Sequence, residues 1–148
     1  MMFLLVHILT HVHWLLRPSK VRLDLERLFA DNNVTVAFSA HEHEYERTCP
    51  LLDMACDGDV GANDTMFTSH PRHPIHVVTG AGGSHEGIDT FQRNHGNWSA
   101  VRDSNWGFGK LYANRTHFAF TQLHIPNQAN SGSLTTADRF TIAREDIY

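Results

Sequence analysis

The octapeptide AHEHEYER, Ala40 to Arg47, sets two imidazoles one residue apart and a glutamate after each. Neutral imidazole is the commonest metal ligand in proteins and titrates near neutral pH. His41 and His43 are therefore candidate metal ligands. A structural or catalytic metal needs three or more protein ligands, so local sequence supplies only part of a site. The alternative is a polar turn whose histidines hydrogen-bond locally. Glu44 and Glu46 could act as general bases; beside Arg47 they read instead as a surface ion-pair cluster. Tyr45 reads as a packing aromatic with its hydroxyl satisfied.

A site of this kind needs a rigid platform, and the preceding residues provide one. Val21, Leu25, Leu28 and Phe29 fall at i, i+4, i+7 and i+8, one face of a helix that Ser19 can cap. Lys20, Arg22, Asp24, Glu26 and Arg27 mostly take the other face. Asp31-Asn32-Asn33 ends the helix. The β-branched, alternating run VTVAFSA, Val34 to Ala40, then predicts a buried strand. The histidines follow it directly, and ligand sites of open α/β sheets lie at the carboxyl ends of strands. In extended backbone, residues i and i+2 point to one side, so His41 and His43 would share a site while Glu42 faces away.

Downstream, Thr48 to Arg72 is rich in Gly, Asp, Asn and Pro and reads as a long loop. IHVVTGAGGSHEG reads as a short strand and a glycine-rich turn, FGKLYANRTHFAFTQLHI as a hairpin turning near Asn114-Arg115, and DRFTIARE as a last strand. GAGGSHEG lacks the G-K-[ST] ending of a phosphate loop, and no helical pattern follows it. His85 and Glu86 read as surface groups. Asp57, Asp59 and Asp64 lack the terminal glutamate of a calcium loop. Trp98 and Trp106 read as core or cover residues.

The chain has 148 residues, enough for one domain with a core, and 12 of them are histidine. Its net charge of −4 gives no basic field for nucleic acid. MMFLLVHILTHVHWLL is shorter than the roughly 20 residues a membrane helix needs. It also lacks a basic leader and a small-residue cleavage site, so it reads as a strand or helix of the domain, with no clear signal peptide. Sequons at Asn33, Asn63, Asn97 and Asn114 exceed chance for nine asparagines and are glycosylation candidates. They fit a parent protein that is secreted, lysosomal or endomembrane. Cys49 and Cys56 are close enough for a small disulfide loop; two free thiols are the alternative.

AHEHEYER resembles the G-H-x-H motif, continued as x-Y-E-R, of the purple acid phosphatases, which are metallophosphoesterases. DLERLFADNNVTVAFSAHEHEYER looks like the helix-strand-motif unit of that fold. HPIHVVTGAGGSHEG, WSAVRDSNWGFGKLYANRTHFAF and DRFTIARED are similar, in order, to the family's C-terminal segment. The similarity runs from Asp24 to Asp146, and Ala40 in place of glycine is an animal-type variant. The resemblance implies an α/β fold: part of a two-sheet sandwich with flanking helices, truncated at the N-terminus. Residues 1–50 would be the helix-strand portion of the catalytic domain, 51–72 a variable loop and 73–148 the β-rich C-terminal segment. It implies a phosphate monoester substrate and an iron paired with a second iron, zinc or manganese. His41 would bind the divalent metal and His43 the ferric ion.

The family's other ligands come from aspartate- and asparagine-bearing motifs and a tyrosine, all upstream of what this chain contains. His7 or His11 could imitate a further ligand histidine; the acid-donating histidine has no counterpart. The chain thus looks like the C-terminal part of an acid phosphatase. The rivals are a non-catalytic remnant with at most one weak metal site, and a lectin-like β module using Trp98 and Trp106. Missing strands would open a sheet edge and an apolar face, favouring pairing with a partner such as a second copy. No nucleic-acid or membrane partner is expected.

Overall fold

The computed structural model describes residues 2–5, 20–57, 65–68, 73–91, 96–126 and 132–143. His7, His11 and Asn63 lie outside them. Strand β1 (Met2–Leu5) precedes helix α1 (Lys20–Asp31) and strand β2 (Val34–Ser39), and β1 and β2 pair in parallel. The N-terminal apolar run therefore contains a strand, one of the two readings of that segment. Asn33 adopts a left-handed φ of 52°, and the Asn32 amide donates to the Leu28 carbonyl (2.8 Å), so the Asp-Asn-Asn stop closes the helix as expected.

The buried side of α1 is rotated from the predicted face. Phe29 is buried and Leu25 partly so, but Leu28 is 54% exposed, while Glu26 is wholly buried. A carboxylate beats a leucine here because it has a backbone partner: Asp53 N–H donates to Glu26 Oε2 (3.3 Å).

The next strand, β3 (Tyr45–Leu52), turns through Asp53-Met54 into β4 (Ala55–Cys56). Thr48 to Arg72 is therefore not one loop. It begins with the second half of β3 and ends near β5 (Met66–Thr68). The hairpin escaped the sequence reading because both turn residues are left-handed without being glycine, Asp53 at φ 50° and Met54 at φ 65°. Cys49 and Cys56 are bridged across it, with Cα atoms 5.7 Å apart.

The remaining strands are β6 (Ile75–Thr79), β7 (Ser99–Asp103), β8 (Gly107–Ala113), β9 (His117–His124) and β10 (Thr135–Ala143). The β8–β9 hairpin turns at Asn114, and β10 is the expected last strand. Among the described residues they build two sheets. One runs β1-β2-β6-β3-β4 with β7 also on β3; the other runs β5-β10-β9-β8. Strand β2 is buried throughout, between α1 on one side and the second sheet on the other. Strands β9 and β10 alternate instead: Phe118 and Phe120, Phe140 and Ile142 face inward and pack against Val36, Phe38, Ile75 and Val77. This is the α/β two-sheet sandwich predicted.

Candidate metal centre

Strand β2 ends at Ser39, and residues 41–44 form a bend before β3. The histidine pair thus stands at the carboxyl end of a parallel strand, as expected. Its backbone is bent rather than extended, so alternation does not decide where the two rings point. Both histidines are half-buried.

The bend rests on the glycine turn that follows β6. A Cβ on Gly80 would lie 1.9 Å from the Glu42 carbonyl oxygen and 2.6 Å from that of Ala40, so no other residue fits without moving the backbone. Gly80 N–H donates to Glu44 O (3.1 Å). Asp89 closes the other side. His43 N–H donates to Asp89 Oδ2 (2.7 Å), and Asp89 N–H donates to His43 O (3.2 Å). His43 Nδ1 is 3.9 Å from both Glu86 Oε2 and Asp89 Oδ2. The sequence reading missed Gly80 and Asp89. A glycine directly after a strand signals close backbone approach, but nothing in one sequence says to which segment. Gly83 (φ 134°) and Gly87 (φ 98°) confirm the turn reading of GAGGSHEG, and Glu86 is exposed as expected.

Residues 44–47 correct the idea of a surface charge cluster: all four are buried. Tyr45 and Arg47, two apart on β3, share a face and reach Asp138 on β10. Tyr45 Oη–H donates to Asp138 Oδ2 (2.6 Å), and Arg47 donates from Nε to Oδ2 (2.7 Å) and from Nη2 to Oδ1 (3.3 Å). Burial first, then the Asp138 charge, pushes the Tyr45 hydroxyl well above its ordinary pKa, so it stays a donor. Arg47 is therefore paired across the sandwich with Asp138, and Glu46 takes a different cation. Glu46 Oε1 accepts from Ser99 Oγ (2.7 Å) and from Arg102 Nε (2.7 Å), and the Arg102 guanidinium lies 4.5 Å from the Phe91 ring centroid. Neither oxygen of Glu44 has a hydrogen-bond partner among the described residues. Burial above all, then the negative charges of Glu46, Glu42 and Asp89 against the opposing Arg102, pushes its carboxyl up to about 8.

Two imidazoles match a ferric or divalent ion in donor type and fall short of it in number. No group of three or more His, Cys, Asp or Glu among the described residues is placed to hold a metal. His76, a scattered histidine in the sequence, is a core residue whose pKa burial lowers to about 4. Trp98 is core, packed with Cys49 and Leu51, and Trp106 is half-buried. The sequon asparagines Asn33, Asn97 and Asn114 are exposed.

The architecture has a known counterpart. A purple acid phosphatase from yellow lupin seeds superposes with a TM-score of 0.71 at 28% identity, over 88% of this chain and 21% of that one. The chain is similar to the C-terminal part of purple acid phosphatases. Residues 73–132 match the family model described as iron/zinc purple acid phosphatase-like protein C. Mouse acid phosphatase type 7 is 36% identical over 100 residues, 67% of this chain and 22% of the relative. An Arabidopsis thaliana protein named probable inactive purple acid phosphatase 27 is 34% identical over 124 residues, 84% of this chain and 19% of the relative. The chain spans about a fifth of the length of each of these three proteins.

Proposed function

We propose that this chain carries the C-terminal part of a metal-dependent acid phosphatase site, and that His41 and His43 are its share of the metal ligands. The observation that carries the reading is the histidine bend at the end of β2, clasped by Gly80 and Asp89, in a fold matching a purple acid phosphatase. The substrate class is a phosphate monoester. The metals are iron with a second iron, zinc or manganese, His43 serving the ferric and His41 the divalent ion. Neutral imidazoles suit such a centre because they leave the metals' positive charge available to an anionic ester. The chain's own work is positional: Asp89 and Gly80 hold the bend.

Two ligands do not hold two metals, so the chain by itself is expected to be nearly inactive. The test is aryl phosphate hydrolysis by the purified chain, with metal content measured. Iron or zinc should perturb the imidazole NMR signals of His41 and His43 before those of His117 or His124. Robust turnover that survives the combined change His41→Ala and His43→Ala would refute the assignment. A second reading, a non-catalytic scaffold, is supported by the short donor set and by the relative named as probably inactive. It expects no hydrolysis when metals and the remainder of a parent protein are supplied. The disulfide and the exposed sequons at Asn33, Asn97 and Asn114 support a parent in the secretory pathway.

A further inference from the structure

Three of the described asparagines stand in N-x-S/T sequons, and the fold does not treat the three alike. Asn33 and Asn97 are exposed, but the hydroxyls of their sequons are engaged or enclosed elsewhere. Thr35 is buried in β2. Ser99 Oγ donates to Glu46 Oε1 (2.7 Å), and Trp98 beside it is buried. At Asn114, where the β8–β9 hairpin turns, the hydroxyl comes back to its own asparagine. Asn114 Oδ1 accepts from Thr116 Oγ1 (3.2 Å), from Thr116 N–H (2.9 Å) and from His117 N–H (2.7 Å). These bonds span at most 3 residues, so the turn can form in the nascent chain before either sheet does.

With its oxygen occupied in the turn, Asn114 sends its amide nitrogen back along β8. Nδ2 donates to Tyr112 Oη (3.3 Å). Tyr112 is 62% exposed and lies on β8, the edge strand of the second sheet. Alternation sets Tyr112 and the exposed Phe108 on the face of β8 opposite Leu111, which pairs with the core residue Phe120. An edge strand bearing exposed aromatic side chains invites pairing with another chain unless something covers it. A sugar suits that task, because its C–H groups pack on the negative face of an aromatic ring. A sugar joined to Nδ2 starts at the Tyr112 ring, and the substituted nitrogen keeps one hydrogen for Tyr112 Oη.

We propose that Asn114 bears an N-linked glycan whose first sugar stacks on Tyr112 and covers it. In the transfer, Asn114 Nδ2 attacks C1 of the sugar of a lipid-linked oligosaccharide diphosphate. The C1–O bond to the diphosphate breaks, the diphosphate leaves with the electron pair, and the amide loses one proton. The inference rests on the secretory-pathway reading above and is independent of the metal ligands.

The chain, expressed behind a secretory leader in a eukaryotic cell, is freed of N-glycans enzymatically in heavy-oxygen water, which turns each glycan-bearing asparagine into labelled aspartate. Peptide mass spectra should show the label at Asn114, at higher occupancy than at Asn33 or Asn97. In the chain still glycosylated, the ring current of Tyr112 should shift the first sugar's proton NMR signals upfield. Tyr112→Phe should keep that shift and Tyr112→Ala should abolish it, with the signal of the buried Trp98 indole unchanged as the mark of an intact fold. Lower occupancy at Asn114 than at Asn33 or Asn97, or sugar signals indifferent to Tyr112→Ala, would overturn the inference and leave the secretory reading standing. No label at any sequon would sink both.

Discussion

Changing Asp138 to Ala should destabilise this protein more than any exposed charge change. Asp138 accepts from both Tyr45 and Arg47, and the side chains of Arg47 and Asp138 are 1% and 5% exposed. The Arg47 guanidinium also lies 5.4 Å from the Phe140 ring centroid. Breaking such a buried pair costs about 3–5 kcal/mol. An exposed ion pair would cost about 0–1 kcal/mol. With domain stabilities of about 5–15 kcal/mol, the loss takes a large share of the total. In urea, at a slope of about 2 kcal/mol/M, the unfolding midpoint should fall by about 2 M. Tyr45→Phe removes one hydrogen bond to the same carboxylate and should cost less, about 1.5–3 kcal/mol. The two changes share a partner, so their effects should not add. A loss under about 1 kcal/mol for Asp138→Ala would show that the clasp between the sheets is solvated and would refute the reasoning.

Gly80→Ala should displace the 41–44 bend, because the added Cβ meets two carbonyl oxygens; His41 and His43 imidazole signals should shift strongly, whereas Gly82→Ala, with its nearest atom at 3.9 Å, should leave them in place. Replacing Cys49 and Cys56 by serine frees a bridge of sequence separation 7 and should cost about 2–3 kcal/mol, read as a lower melting temperature that reductant no longer changes. In the metal-free chain, Glu44 holds its proton up to about 8 when folded, against an ordinary value of 4.5, so the folded form binds the extra proton in that window and stability falls as pH rises through it. His76 acts with the opposite sign: its pKa of about 4 when folded, against an ordinary 6.5, means the unfolded form binds the extra proton, so stability falls as pH drops from 6.5 towards 4. Between pH 4.5 and 6.5 the two contributions offset each other, so denaturation midpoints should decline above 6.5 and below 4.5, and Glu44→Gln should remove the alkaline decline and extend the acid-side slope up to 6.5.

How much of this was legible in one sequence depends on how local each cause was. Strand β2, the helix stop at Asn33, the β8–β9 hairpin and the histidine bend after a strand all follow from neighbours in sequence: periodicity, a cap, a turn, a run of β-branched residues. The misses share a different cause. Glu26 reads as solvent-facing until Asp53, 27 residues on, supplies a backbone N–H. Arg47 reads as the partner of its adjacent glutamates, yet the strand's alternation sends Tyr45 and Arg47 to the face opposite Glu46, where Asp138 waits 91 residues away. The same alternation was applied to His41 and His43, where it does not hold, because the backbone bends before β3 begins. Strand periodicity was therefore informative only from Tyr45 onward. It is Tyr45 and Arg47, anchored in the opposite sheet, that fix where β3 starts, and so bound on one side the four-residue bend whose other contacts include Gly80 and Asp89. The chemistry-bearing residues of this motif are consequently held by side chains with no chemistry of their own, drawn from β10 and from the turn after β6.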